Sequence, residues 1–282
     1  MPSLKEIKGR IGSVKSTLKI TSAMKLVASA KLRKAQTAIE NMLPYEQGLH
    51  RILAEVGARG PLAEARAASG KVALVAFASN SSLCGGFNAN AIRETKARVK
   101  ELTEEGKEVT VIAVGRRIAD SLAKAGYPSA ADLTRLSAKP EYDGAKELAE
   151  SLRSGFESGE YERVELIYNH FVSAATQKVT REQYLPMVPA AETQAQEENP
   201  PIVEPSKEEV LEALLPKVLN LKIYTVLLDS AAAEHAARTV AMQTATDNGD
   251  KVLQELTLEY NKGRQQKITS EILDLVGGQQ ES

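Results

Sequence analysis

The sequence predicts a mixed fold, part α+β and part α/β. Two long helices form an antiparallel coiled coil, and an α/β domain with a mostly parallel sheet is inserted between them. Three observations predict this: apolar residues at heptad spacing near the start, short apolar runs alternating with helical segments in the middle, and a helical pattern of some sixty residues at the end. The predicted boundaries are residues 1–58 for the first helix, 59–70 for a linker, 71–186 for the domain, 187–205 for a second linker and 206–282 for the last helix.

The first helix is predicted from its start signal and its long apolar seam. Ser3 and Glu6 make a capping box. From Leu4, alternate steps of three and four residues reach sixteen positions up to Val56, and thirteen of them are apolar. A seam of this length is typical of a coiled coil. Pro44 should kink the helix, and the alternative is two shorter helices broken at Pro44.

The last helix is unusual because its middle is rich in alanine. Seven alanines lie between Ala231 and Ala245, with almost no bulky apolar residue among them. Polar side chains occur on every face, so the helix needs something outside itself to pack against. Ser206 and Glu209 make a second capping box, and Pro216 suits a first helical turn. We expect a shaft, with the hypothesis that residues 231–248 present a surface without deeply interlocking side chains.

Opposite net charges favour pairing of the two helices. Residues 1–56 hold ten Lys and Arg and four Asp and Glu, a net charge of +6. Residues 207–282 hold eight and twelve of these, a net charge of −4. Because salt screens such attraction, the charges are equally compatible with two solvated faces.

The middle of the chain alternates between strand and helix signals. Strands are predicted over 71–78, 108–114, 164–172 and 177–184, with a turn at 173–176, and helices over 88–102, up to 124 and over 142–153. This order is typical of a mostly parallel sheet with both faces covered.

Composition and motifs exclude several classes of function. The formal net charge of −1 argues against electrostatic binding of nucleic acid. Cys84 is the only cysteine, which excludes an internal disulfide. No apolar signal segment and no run of eighteen apolar residues occurs, so no transmembrane segment is expected. The three histidines lack metal-ligand spacing and no phosphate loop is present, so we predict no catalytic residue, cofactor or metal.

The glycine-containing turn at residues 83–87 is the one feature typical of enzymes. It follows a predicted strand and precedes a helix, where backbone N–H groups can bind phosphate. It lacks the full dinucleotide-binding spacing, so a tight strand-to-helix turn is the alternative. Cys84 within it is either a nucleophile or a buried small apolar residue.

Separated stretches of the chain resemble the gamma-subunit family of F-type ATP synthases. The stretches run in the family's order over nearly the whole chain: residues 20–35, 83–88, 234–238, 241–242, 245–248, 264–265 and 268–269. The resemblance implies the central rotor shaft of a proton-translocating ATP synthase, itself non-catalytic. Rotation of a membrane ring of c subunits would then drive conformational change at three catalytic beta subunits.

The resemblance also implies partners and a location. A ring of three alpha and three beta subunits would surround a single copy of the coiled coil, and an epsilon subunit and the c-subunit ring would bind the α/β domain. The complex would lie peripherally on the cytoplasmic face of the bacterial inner membrane. Two other classes stay open: a coiled-coil scaffold that dimerises through its heptads, and a nucleotide-dependent enzyme using the turn at 83–87.

Two groups of residues are predicted to contact other subunits from the first helix. Met24 and Lys25 lie in the N-terminal stretch that resembles the family, where the resemblance implies contact with acidic beta-subunit loops. Lys31, Arg33 and Lys34 would form a basic patch facing the same acidic surface, although an ordinary solvated face is equally plausible for those three.

A third group lies near the end of the last helix. Arg264, Gln265 and Thr269 match the part of the family that contacts a beta-subunit loop. Ile268 and Ile272 are apolar residues close to the end of the helix, and we expect other subunits to cover them with an apolar sleeve.

Overall fold

The computed structural model describes residues 3–56, 62, 69–187, 203–204 and 206–278, with the side chains of 54, 55 and 274–278 excepted. Most of the two predicted linkers, and the residues after 278, lie outside the described residues. The elements in chain order are α1 (Leu4–Val56), β1 (Lys71–Phe77), α2 (Phe87–Glu104), β2 (Glu108–Val114), α3 (Arg116–Ala123), α4 (Thr134–Ala138), α5 (Tyr142–Glu157), β3 (Arg163–Phe171), β4 (Gln177–Leu185) and α6 (Lys207–Gly278).

The chain divides into two compact units. Residues 1–28 and 239–282 form the first, which we call the coil unit. Residues 29–238 form the second, which we call the α/β unit. Each of the two long helices contributes residues to both units.

The α/β unit is built on one four-stranded sheet in the order β2-β1-β3-β4. β1 pairs in parallel with both β2 and β3, and β4 pairs antiparallel with β3. Two of the three pairings are parallel, which confirms the predicted mostly parallel sheet. The short helix α4 was not predicted, because its five residues carry no periodic apolar pattern.

Both faces of the sheet are covered because side chains alternate along β1. Ala73, Val75 and Phe77 belong to one core, which α5, the start of α6 and the end of α1 complete. Leu74 and Ala76 belong to the other, which α2 and α3 complete. Apolar residues on both sides of a central strand produce the continuous apolar run that predicted it.

Both long helices continue through a proline. α1 contains Pro44, so the alternative of two helices broken there is wrong. α6 begins at Lys207, and the Glu209 N–H donates to Ser206 Oγ at 3.2 Å, as the capping box predicts. Pro216 is therefore the tenth residue of α6, and its placement in the first turn is wrong. Buried apolar residues flank Pro216, and their packing outweighs the roughly 3 kcal/mol that a helix-interior proline costs.

The predicted seam of α1 is the face that the helix buries. None of the sixteen positions is exposed, whereas most residues between them are. On α6 a matching stripe of buried and half-buried residues, spaced by three and four, ends at Gly263 and includes residues 239, 242, 246, 249, 253, 256, 260 and 263.

Contacts within the coil unit show that its two helices run antiparallel. As residue numbers rise along α1, those of the partners fall along α6. Leu4 lies over Gly263, Leu18 lies over Gly249, Thr21 Oγ1 is 2.9 Å from Thr246 Oγ1, and Lys25 Nζ donates to Gln243 Oε1 at 2.8 Å. The predicted antiparallel coiled coil is confirmed.

Candidate subunit interface

The end of α6 extends past the start of α1 in the coil unit. Leu4, the first residue of α1, lies over Gly263, while α6 continues to Gly278. Fifteen residues at ~1.5 Å each give roughly 22 Å of unpaired helix. From the sequence, a first helix of roughly 53 residues and a last helix of about 61 residues, from Pro216 to Val276, predict an overhang of about 12 Å at the same rise. The observed overhang is longer.

Every described side chain of this overhang, residues 264–273, is exposed. The predicted contact residues Arg264, Gln265 and Thr269 therefore all face solvent. Ile268 and Ile272 lie one turn apart on one face of the helix, with 47% and 55% of their surface exposed. Apolar residues exposed together in this way are typical of a surface that another protein covers.

A second candidate patch lies farther along α1. Met24 is half-buried, and Lys25 reaches α6 through its bond to Gln243. Ile20 and Val27, one turn on either side of Met24, are 60% and 57% exposed. We did not identify Ile20 and Val27 from the sequence, although their helical spacing, next to the seam, was the available signal.

The predicted basic patch of α1 is less compact than expected. Lys31, Arg33 and Lys34 are all exposed. At 100° per residue, Lys31 and Lys34 share a face, whereas Arg33 projects about 160° away from Lys31. Only Lys31 and Lys34 can contact one surface together.

The turn at residues 83–87 packs against α6. Cys84 and Phe87 are buried together with Ala233 and Ala237. Leu83 adopts a left-handed backbone with φ of 65°, and its side chain is exposed. These contacts favour a tight strand-to-helix turn over a phosphate site, and they give Cys84 the surroundings of a buried apolar residue.

Arg238 of α6 forms hydrogen bonds to residues just before this turn. Its guanidinium is buried and donates to the carbonyl oxygen of Ser82 at 2.5 Å and to Ser81 Oγ at 3.0 Å. It also pairs with Glu234 Oε1, 2.6 Å away and one turn earlier on the same helix. Two sequence stretches that carry the family resemblance, 83–88 and 234–238, are therefore neighbours in the structure. Sequence reasoning missed this contact, because nothing local links positions more than 150 residues apart.

The alanine-rich stretch of α6 is partly interior. Ala232, Ala233 and Ala236 are completely buried within the α/β unit. The hypothesis that this stretch forms an outer surface is therefore wrong for these residues. Small side chains fit here because Cys84 and Phe87 of the turn at 83–87 pack directly on Ala233 and Ala237.

Among the described residues, no helix is long and apolar enough to span a membrane. The family model described as ATP synthase matches residues 3–280. The ATP synthase gamma chain of Phocaeicola vulgatus is 52% identical over 287 residues, covering 99% of each chain. The chain belongs to the ATP synthase gamma-chain family. The gamma chain of Bacteroides thetaiotaomicron is 49% identical, again over 99% of each chain.

Solved structures have the same fold. A chain from the mitochondrial ATP synthase of Euglena gracilis, in an assembly of OSCP, F1 and c-ring, gives a TM-score of 0.69 at 20% identity and covers 98% of this chain and 93% of its own. A chain from the central stalk and c-ring of the Tetrahymena thermophila mitochondrial ATP synthase gives a TM-score of 0.56 at 24% identity. It covers 80% of this chain and 99% of its own. The gamma-chain family implied by the resemblance is therefore confirmed by the relatives, and its fold by the solved structures.

Proposed function

We propose that this chain is the rotating shaft of a proton-translocating F-type ATP synthase on the cytoplasmic face of a bacterial inner membrane. It couples rotation of the c-subunit ring to conformational change at three catalytic beta subunits. Three alpha and three beta subunits surround the coil unit, and the α/β unit binds the epsilon subunit and the c ring. Full-length similarity to bacterial gamma chains supports this assignment.

The observation that carries the proposal is the unpaired end of α6. Its apolar side chains, Ile268, Ile272 and Leu273, are about half exposed or more. Exposed apolar groups at the end of a helix would favour aggregation unless a partner covered them. A collar of several subunits covers such an end from all sides through non-directional contacts, which resist rotation little.

The coil unit disfavours the scaffold alternative. A homodimer through the heptads would need the seam of α1 to be free, but α6 of the same chain occupies it at Leu18, Thr21 and Lys25. The heptads are therefore already used within one chain.

The interface residues have separate roles in this proposal. Met24, Lys25, Ile20 and Val27 contact beta subunits from the side of the coil. Lys31 and Lys34 face acidic surface on the same subunits, and Arg33 projects from a different face of α1. Near the end of α6, Arg264, Gln265 and Thr269 contact a beta-subunit loop, and Ile268 and Ile272 lie in an apolar sleeve.

Purification of the complex from native membranes tests the assembly. We expect one copy of this chain with three copies each of two larger chains, measured by native mass spectrometry. A homodimer of this chain without larger partners would contradict the proposal.

Limited proteolysis tests the sleeve. In the free chain, trypsin should cut after Arg264 and Lys267, which are exposed. In the assembled complex both sites should be protected. Ile272→Asp should weaken assembly, whereas Lys267→Gln, a polar change five residues earlier on the same helix, should not. Equal cleavage in the free and assembled chain would show that no sleeve exists.

A further inference from the structure

Two glycines of α6 lie opposite large apolar residues of α1. Gly249 faces Leu18, and Gly263 faces Leu4, two heptads further along. Midway between them the same register places buried Leu256 opposite Ile11. At every seventh position of this stripe, α6 therefore carries Gly249, Leu256 and Gly263, and the two glycines leave room for the leucines of α1.

The space above Gly249 is too small for any other side chain while Leu18 keeps its position. A Cβ added at Gly249 would lie 2.7 Å from Leu18 Cδ2 and 3.2 Å from Leu18 Cγ. Rotation about the Cβ–Cγ bond of Leu18 moves Cδ2 but leaves Cγ in place, so that rotation alone relieves only part of the overlap. At Gly263 the corresponding distances to Leu4 are 3.1 and 3.9 Å, which a small rotation satisfies.

Other glycines of the coil unit show that this crowding is specific. A Cβ at Gly9 or Gly12 of α1 would meet nothing within 4 Å. Glycine weakens a helix interior relative to alanine. Gly249 is therefore explained by the leucine that packs on its backbone, and not by local helix preference.

A slipped register would lose this fit. A shift of one heptad places Leu18 opposite either Met242 or Leu256, both of which are already buried. Two bulky residues would then meet where the observed register pairs a large residue with a glycine, and overpacking of this kind is destabilising.

We propose that Gly249 is a positioning residue that, with Leu18, sets the register of the antiparallel coil. The register in turn sets how far α6 extends beyond Leu4. The hydrogen-bonded pair of Thr21 and Thr246 adds a polar contact in the same register. This proposal stands on the geometry of the coil unit and holds whether or not the chain rotates in a complex.

Disulfide trapping in the full chain measures the register directly. In a Cys84→Ala background, Val14→Cys with Leu253→Cys reports the observed register. Val14→Cys with Tyr260→Cys reports a slip of one heptad. We expect the first pair to oxidise at least about tenfold faster than the second.

Gly249→Ala should lower the ratio of the first oxidation rate to the second severalfold. Adding Leu18→Ala should restore this ratio by making room for the new Cβ. Gly12→Ala is the matched control, a glycine-to-alanine change in open space that should leave the ratio unchanged. An unchanged ratio in Gly249→Ala would overturn the proposal.

Rescue distinguishes register from general stability. If Gly249→Ala does not fold, the double variant with Leu18→Ala should still fold and trap in the observed register. If the double variant is as impaired as the single one, contact with Leu18 is not what Gly249 provides, and the proposal is wrong. Native mass spectrometry of the complex is independent of these results, so either proposal can fail alone.

Discussion

The α/β unit and the coil unit bury their apolar side chains to different depths. Phe77, Phe156 and Ile223 of the α/β unit are at most 1% exposed. In the coil unit, most seam positions, such as Leu18 and Leu253, are only half-buried, and a minority are buried. A sheet covered on both faces encloses whole side chains, whereas two paired helices cover one stripe of each other. The α/β unit should therefore be stable by itself, and the coil unit should depend on its surroundings.

Truncating one apolar side chain to alanine in each unit tests this difference. This experiment has the largest expected effect. Phe156→Ala should lower the free energy of unfolding by about 3–5 kcal/mol, because it leaves a large cavity in a closed core. Leu253→Ala in the coil should cost about 1 kcal/mol, since its side chain is already partly hydrated. Urea denaturation of the two variants measures both. Equal losses would contradict the contrast between the units.

Within the α/β unit, a buried ion pair and an exposed one test whether burial determines how much a contact stabilises the fold. Arg98 donates to Glu165 at 2.8 and 2.7 Å, and both residues are buried. Arg98→Leu should destabilise the chain by about 3 kcal/mol, because Glu165 would keep only Arg163, 3.2 Å away. Adding Glu165→Leu should recover much of that loss.

The exposed pair of Lys100 and Glu104 is the control for this ion pair. Lys100→Leu should change the stability by less than about 0.5 kcal/mol. If Lys100→Leu costs as much as Arg98→Leu, burial does not determine the effect. Chemical denaturation of all three variants at constant pH decides between these outcomes.

Charges placed on two faces of α1 test the seam of the coil unit. Leu18→Asp should cost about 2 kcal/mol and reduce the helix content of the free chain, because the charge enters the interface with α6. Leu26→Asp should have little effect there, since Leu26 is 68% exposed. Circular dichroism with urea denaturation compares them. Similar losses in both variants would mean that the seam is assigned wrongly.

The smallest effect concerns pH. Burial, followed by the charges of Lys31 and Arg238, lowers the pKa of His235 to about 4 from 6.5. Between these values the unfolded chain binds a proton that the folded chain does not, so stability falls as the pH drops through this window. We expect His235→Gln to remove about 1 kcal/mol of the difference in unfolding free energy between pH 7.5 and 5.5. An identical pH dependence in both proteins would contradict this.

Much of the secondary structure followed from local pattern. The strand at 108–114 matches β2, and the capping residues Ser3 and Ser206 both accept the predicted backbone N–H bonds. The interface residues were harder to find. The resemblance predicted interface residues near the end of α6, whereas Ile20 and Val27 became candidates only from their exposure in the structure.

The sequence by itself determined which face α1 buries, because apolar spacing is a local property of the chain. Only the tertiary structure decided what each face packs against. Periodicity cannot distinguish the alanines that pack on the turn at 83–87 from alanines on an outer surface, and it cannot show that Arg238 holds Ser82. The register of Leu18 on Gly249 also depends on residues more than 200 positions apart. Such choices depend on volume and hydrogen-bond geometry, which exist only once the two segments meet.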